Sequence, residues 1–217
     1  MPLARFWSST IGKKTVMAVT GIVLVGYLLA HVTANLLVFV GPDAIDGYAA
    51  KLREFPVFLW GVRILLLVSV ILHIVAAGQL AIRARAARPI GYHRFEPQIS
   101  SPASRTMRWG GVVLLLFVIY HILHFTTGQA HPDFRHLEPY HNVTVAFRAW
   151  WVVGIYVVAL VALALHLYHG TWSLFQTLGI EHPRVNPARR RLATMLAVLV
   201  AVGFVTIPIA VLAGVLR

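Results

Sequence analysis

Residues 150–178 read WWVVGIYVVALVALALHLYHGTWSLFQTL. The stretch holds no Asp, Glu, Lys or Arg. At about 1.5 Å per residue, a helix of this length covers the roughly 30 Å hydrocarbon core of a bilayer. Its apolar residues run on without alternating, which selects a helix over a barrel strand. A helix also satisfies its own backbone groups where no water can reach them. Four further runs read the same way: 15–40, 57–82, 109–127 and 192–216. The expected fold is an all-α integral membrane protein with five transmembrane helices. One membrane domain, 1–217, accounts for the whole sequence.

Composition agrees. Hydrophobic residues make up 59% of the 217 and charged residues 12%, with a mean hydropathy of +0.76. A soluble domain is about a quarter charged, and a single core of this size could not enclose so much apolar surface. Disorder requires the opposite composition. No room is left for a soluble catalytic domain. Cysteine is absent, which excludes disulfides, thiolate-bound zinc, iron–sulfur clusters and covalently attached haem. The first run is too long for a signal-peptide core, and no A-x-A site follows it.

The basic residues set the expected orientation. Arg5, Lys13 and Lys14 precede the first span. Arg83, Arg85, Arg88, Arg94, Arg105 and Arg108 lie between the second and third, and Arg184, Arg189, Arg190 and Arg191 precede the fifth. These 13 of the 19 cations fall on one side, which places the N-terminus in the cytoplasm and the C-terminus outside, in a bacterial cell membrane. The seven acids, Asp43, Asp46, Glu54, Glu96, Asp133, Glu138 and Glu181, all lie in loops or at span edges. A proton-coupled transporter usually keeps a carboxylate in mid-membrane.

Six of the eleven histidines fall inside spans: His31, His73, His121, His124, His166 and His169. A polar group at membrane depth is costly, and interhelical hydrogen bonding is its ordinary use. Histidine in each of four consecutive spans, with no acid to pair with, points instead to ligands. Neutral imidazole binds iron, and two on facing helices can hold a haem within a bundle. The first four spans are thus expected to form a di-haem bundle with two haem b, and the fifth, without histidine, to support it.

Depth selects the pairs. His31 and His121 lie 16 and 12 residues along outward-running spans, or roughly 24 and 18 Å from the inner edge. His73 and His166 each lie 16 residues along inward-running spans, roughly 24 Å from the outer edge. The expected axial pairs are His31 with His121 for an outer haem and His73 with His166 for an inner one. His124 lies one turn after His121 and is an alternative ligand, or lines a quinone or propionate site. His169 lies one turn after His166 and reads as a neighbour of the inner haem or an interfacial residue. Gly21, Gly78, Gly110, Gly111 and Gly170 leave room for a ring or for close helix packing. Arg63 is the expected outer propionate partner; Lys14, Arg83 and Arg108 are inner candidates.

These residues resemble the membrane anchors of succinate dehydrogenases and fumarate reductases in their single-chain, five-helix, di-haem cytochrome b form. The resemblance runs from about residue 8 to 179. It rests on KKTVMAVTGIVLVGYLLAHVTANLL around His31, ILHIVAAGQLAIR around His73, FVIYHILHFTTG around His121 and LHLYHGTWSLFQTLGI around His166. It places those four histidines on the family's axial ligands. It implies a flavoprotein subunit and an iron–sulfur subunit docked on the cytoplasmic face, with menaquinone as the lipid-soluble partner. Some fumarate reductases of this form carry a glutamate two residues before the fourth ligand; here that residue is Ala164.

The function expected is electron transfer between the iron–sulfur subunit and quinone in a succinate:quinone oxidoreductase, with no succinate chemistry in this chain. The rivals are a cytochrome b anchor of a hydrogenase or formate dehydrogenase, and a histidine-using transporter. A quinone site is expected at the outer end, around Asn35, Tyr48, Glu54, Arg63 and His124. A second haem in the outer half has little use if quinone reacts only inside. The competing inner site gathers Ser8, Ser9, Lys13, Arg108, His169 and Trp172.

Overall fold

The computed structural model describes residues 2–87, 90 and 101–217. Arg88, Arg94 and Glu96 lie outside the described residues. Among those described there are eight α-helices and no strand. A short α1 (Pro2–Ser8) leads into α2 (Thr10–Asn35), which tightens into a 3-10 turn over Leu36–Phe39. Then come α3 (Pro42–Arg53), α4 (Pro56–Ala86), α5 (Pro102–Phe125), α6 (Pro139–Ala146), α7 (Trp150–Thr177) and α8 (Asn186–Leu212). Five of them, α2, α4, α5, α7 and α8, are long and apolar enough to cross a membrane.

Three of these helices begin earlier than the apolar runs. α2 starts at Thr10, α5 at Pro102 and α8 at Asn186, where hydropathy places the starts at 15, 109 and 192. The reason is capping. The Ser9 hydroxyl accepts from Gly12 N–H at 2.8 Å and that of Ser101 from Ser104 N–H at 3.2 Å. Pro102 and Pro187 occupy first-turn positions, where a missing N–H costs nothing. Helices therefore start in the polar flank and enter the apolar region already formed.

The long helices alternate in direction. At the basic end Arg83, late in α4, donates from Nη2 to Ser8 O at 2.7 Å, just before α2. There too Arg189, early in α8, donates from Nη2 to Trp172 O, late in α7, at 3.2 Å. At the other end α3 packs against α6, and Tyr140 N–H donates to Asp46 Oδ1 at 2.9 Å. These two short helices cap the bundle opposite the basic side. α2 packs on α4, α5 on α7, and α7 most extensively on α8; α2 also meets α7 and α8. In lipid there is little hydrophobic drive between helices, so small residues and close contact hold them. Ala18, Ala76, Ala159, Ala193 and Ala197 are accordingly buried, whereas Leu65, Leu67, Val68, Ile71 and Leu72 of α4 are exposed. Such a band would be an aggregation surface in water and is an ordinary surface against acyl chains.

α8 does more than support the bundle from outside. A Cβ built on Gly203 would lie 2.5 Å from Val32 Cγ2, and Val32 is 2% exposed. Glycine at 203 is what lets α8 approach α2. Gly203→Leu is expected to push the two helices apart and cost about 1–3 kcal/mol by overpacking. Thermal unfolding in detergent should show a lowered midpoint. An unchanged midpoint would mean that this contact is not part of the folded bundle.

Candidate functional site

Two helix pairs stand apart in this bundle. Neither α2 and α5 nor α4 and α7 are closely packed backbone to backbone. Each gap is crossed by histidines. His31 of α2 and His121 of α5 have ring centroids 5.9 Å apart, edge to face at 85°. His73 of α4 and His166 of α7 have centroids 6.2 Å apart at 51°. Two imidazoles on opposite sides of one metal atom, each about 2.0 Å from it, have centroids roughly 6 Å apart. Both separations have that size. Among the described residues no group of three or more His, Cys, Asp or Glu side chains converges. Two imidazoles do not complete the shell of a bare ion; they suit a metal whose remaining positions are filled by a macrocycle.

The levels follow from the helix rise. His73 meets α2 at Thr20, eleven residues before His31, or about 16 Å along the axis. On α7, Tyr156 meets His121 ten residues before His166, or about 15 Å. The two measures agree.

Surroundings orient each ring. The Thr20 hydroxyl donates to Val16 O at 2.8 Å, and its oxygen lies 3.1 Å from His73 Nδ1. A hydroxyl has one proton, and a carbonyl can only accept it, so Thr20 accepts from His73 Nδ1–H. His73 therefore keeps a lone pair at Nε2, the tautomer a metal ligand needs. His166 Nδ1 is buried with no partner. His31 stacks on Tyr27 at 5.2 Å and 13°, and packs against Phe204 of α8 at 5.6 Å. The Asn35 amide nitrogen donates to His31 O at 2.7 Å and lies 3.2 Å from His31 Nδ1. An amide nitrogen only donates, so coordination through His31 Nε2 requires Asn35 to release Nδ1 and keep the carbonyl. His121 lies between Phe117 and Phe125, at 5.7 and 5.8 Å, with Nδ1 3.3 Å from the Tyr156 hydroxyl.

His124 turns elsewhere. It is 1% exposed, and its Nδ1 lies 3.0 Å from the Tyr156 hydroxyl. Its ring stacks on Tyr120 at 5.0 Å and approaches His131 at 5.1 Å. The ring facing His31 is that of His121. His124 instead lines a cavity of about 320 Å³, with Gln129, His131, Ala149, Trp151 and Val152 among its other walls.

The remaining candidates spread over the two ends. Glu54 is exposed and pairs with Lys51 at 2.6 Å, while Tyr48 is exposed too. The Arg63 guanidinium covers the Trp60 ring at 5.0 Å. None of these three lines the cavity beside His124. At the basic end the Ser9 hydroxyl is spent on its helix, donating to Phe6 O and accepting from Gly12. Lys13 Nζ donates to Trp7 O and lies over the Trp7 ring. Lys14, Arg83 and Arg108 are exposed, and His169 is half-buried. Trp172 is covered by two guanidinium groups, Arg189 at 4.3 Å and Arg190 at 4.5 Å. Of the glycines, Gly21 faces His73, where a Cβ would lie 3.8 Å from Cε1; Gly78, Gly110, Gly111 and Gly170 face nothing within 4 Å.

Sequence reasoning missed Thr20, Tyr156, Phe204 and Arg189. Thr20 and Tyr156 touch histidines 53 and 35 residues away, and no local pattern marks them. Phe204 lies in the span without histidine. Arg189 opens a run of three arginines, and only burial distinguishes it.

No curated protein and no solved structure was found to match the sequence significantly. A family model described as the succinate dehydrogenase/fumarate reductase transmembrane subunit matches residues 84–206, more than half of the chain. The match takes in α5, α7 and most of α8, with His121, His124, His166 and His169 among its residues. On that match the chain belongs to the family of transmembrane subunits of succinate dehydrogenase and fumarate reductase.

Proposed function

We propose that this chain is the di-haem cytochrome b anchor of a succinate:quinone oxidoreductase, carrying electrons between an iron–sulfur subunit and menaquinone. The observation that carries the reading is the pair of histidine contacts, each joining two helices whose backbones are not closely packed. His31 and His121 are the axial ligands at one level, His73 and His166 at the other. Haem b, bound at each level, supplies a one-electron carrier. The chain's residues do the rest. Thr20 fixes the tautomer of His73, and Tyr27, Phe117, Phe125 and Phe204 keep water from the upper pair. The helix rise sets the two levels about 15 Å apart.

The basic side faces the cytoplasm of a bacterial cell and carries the iron–sulfur and flavoprotein subunits. An acidic partner surface would be steered to it. His73 and His166 lie on that side and are the pair nearest the partner. Arg83, Arg108 and Lys14 at that end, and Arg63 at the other, are the cations available to propionates.

Purified complex should yield two haems per copy of this chain. All of it should pass into acid–acetone, since without cysteine there is no covalent tether. A content near zero in intact complex would end the proposal.

A further inference from the structure

A neutral histidine that binds a metal through Nε2 carries its proton on Nδ1. What stands behind Nδ1 therefore favours or opposes ligation, and the four paired histidines differ there. Thr20 has given its own proton to Val16 O and accepts from His73 Nδ1–H at 3.1 Å. The Tyr156 hydroxyl can accept from His121 Nδ1–H at 3.3 Å while it donates to His124 Nδ1 at 3.0 Å. His166 Nδ1 is buried with no partner, so no neighbour there prefers either tautomer. All three rings are free to present Nε2 to a metal.

His31 is the exception. Asn35 Nδ2 lies 2.7 Å from His31 O and 3.2 Å from His31 Nδ1. The carbonyl can only accept, so the shorter contact fixes which end of the amide faces His31. The same nitrogen then offers its second N–H to Nδ1, which accepts it with its lone pair. His31 accordingly keeps its proton on Nε2, the atom that a ligand must bare. Tyr27 and Phe204 pack on the His31 ring and bring no acceptor to Nδ1.

Ligation by His31 moves that proton from Nε2 to Nδ1, with no change in charge. Nδ1–H and the Asn35 N–H would then face each other as two donors. Turning the amide brings its oxygen onto Nδ1–H but takes its nitrogen off His31 O. Whichever way the amide turns, one of its two contacts is lost. A bond from an Asn side chain to the carbonyl four residues back is ordinary on a helix. The bond to Nδ1 is the one that opposes a ligand, and it has no counterpart at His73, His121 or His166.

We propose that Asn35 is a positioning residue that holds His31 in its non-ligating tautomer, so that the His73–His166 level takes its haem first and the His31–His121 level second. The inference rests on the reading of these four histidines as axial ligands. The penalty at the outer level is one hydrogen bond, a few-fold to about tenfold in relative affinity.

The test purifies the complex from cells limited in haem synthesis. Samples with fewer than two haems per chain should carry an excess at the His73–His166 level, identified by the low-temperature absorption bands that the axial variants assign. In Asn35→Leu, which has no donor, that excess should fall by a few-fold to about tenfold. Thr20→Val should lower it too, by removing the acceptor behind His73. A native preference for the His31–His121 level overturns the proposal, as does an unchanged excess in Asn35→Leu. Fully loaded complex gives a second readout that needs no partly loaded sample, the capture of its haem by excess apomyoglobin. Asn35→Leu should slow release from the His31–His121 level by a few-fold, whereas loss of a merely structural contact would hasten it. Unchanged or faster release overturns the proposal equally. Should Asn35→Leu fail to assemble, Asn35→Ala is read by the same two measurements. If His31→Ala keeps two haems, the ligand reading itself has failed, and that result is distinct from all the others.

Discussion

His166→Ala is expected to lower the haem content of the purified complex from two to one, and His73→Ala to remove the same haem. Each variant takes one imidazole from a pair whose centroids lie 6.2 Å apart across the gap between α4 and α7. The partner ring remains, but a single ligand in a partly polar opening holds a metalloporphyrin weakly. His31→Ala and His121→Ala should remove the other haem. The two classes should be separable by their low-temperature absorption bands, and every double variant within a pair should look like its single parents. His124→Ala should keep two, because its ring faces Tyr156 and His131, away from His31. Loss of a haem in His124→Ala with retention in His121→Ala would reverse the direction of the Tyr156 hydrogen bonds and move the outer ligand by one turn.

Arg189→Ala is expected to produce the largest loss of stability among the basic residues, about 2–4 kcal/mol. Arg189 is 3% exposed, and its guanidinium covers Trp172 at 4.3 Å and Phe175 at 5.5 Å. Nη1 donates to Asn186 Oδ1 at 2.6 Å and Nη2 to Trp172 O at 3.2 Å. Substitution removes a partly desolvated cation–π contact and the hydrogen bonds that tie the guanidinium to Trp172 O and Asn186. It also frees the end of α7 that carries His166 and His169. The neighbouring Arg190 and Arg191 are exposed, and their alanine variants should change stability by less than about 0.5 kcal/mol. Equal effects at all three positions, in thermal unfolding of the detergent-solubilised complex, would mean that the run acts only as surface charge.

The sequence and the structure divide the problem at identifiable residues. The apolar runs locate the helices, but the start of α5 depends on Ser101 and Pro102, polar residues that hydropathy averages away. The short helices α3 and α6 are equally invisible to hydropathy. The outer cluster expected around Glu54, Tyr48 and Arg63 does not line the cavity beside His124, whose walls come from a loop and three other helices. Span order gives the end of the bundle at which a residue lies. It does not give the side.

The sequence alone determined that the chain is a five-helix membrane protein and which histidines share a level. Both follow from one-dimensional quantities: the length of an apolar run against bilayer thickness, and the helix rise counted from the edge of a span. Azimuth is different, since it depends on which faces of neighbouring helices meet. Contacts such as Thr20 with His73, Phe204 with His31 and Gly203 with Val32 set those faces, and they join residues 53 or more apart in the chain. Only the packed bundle decided that Tyr156 stands between His121 and His124, and that α8 closes against α2 beside the histidines.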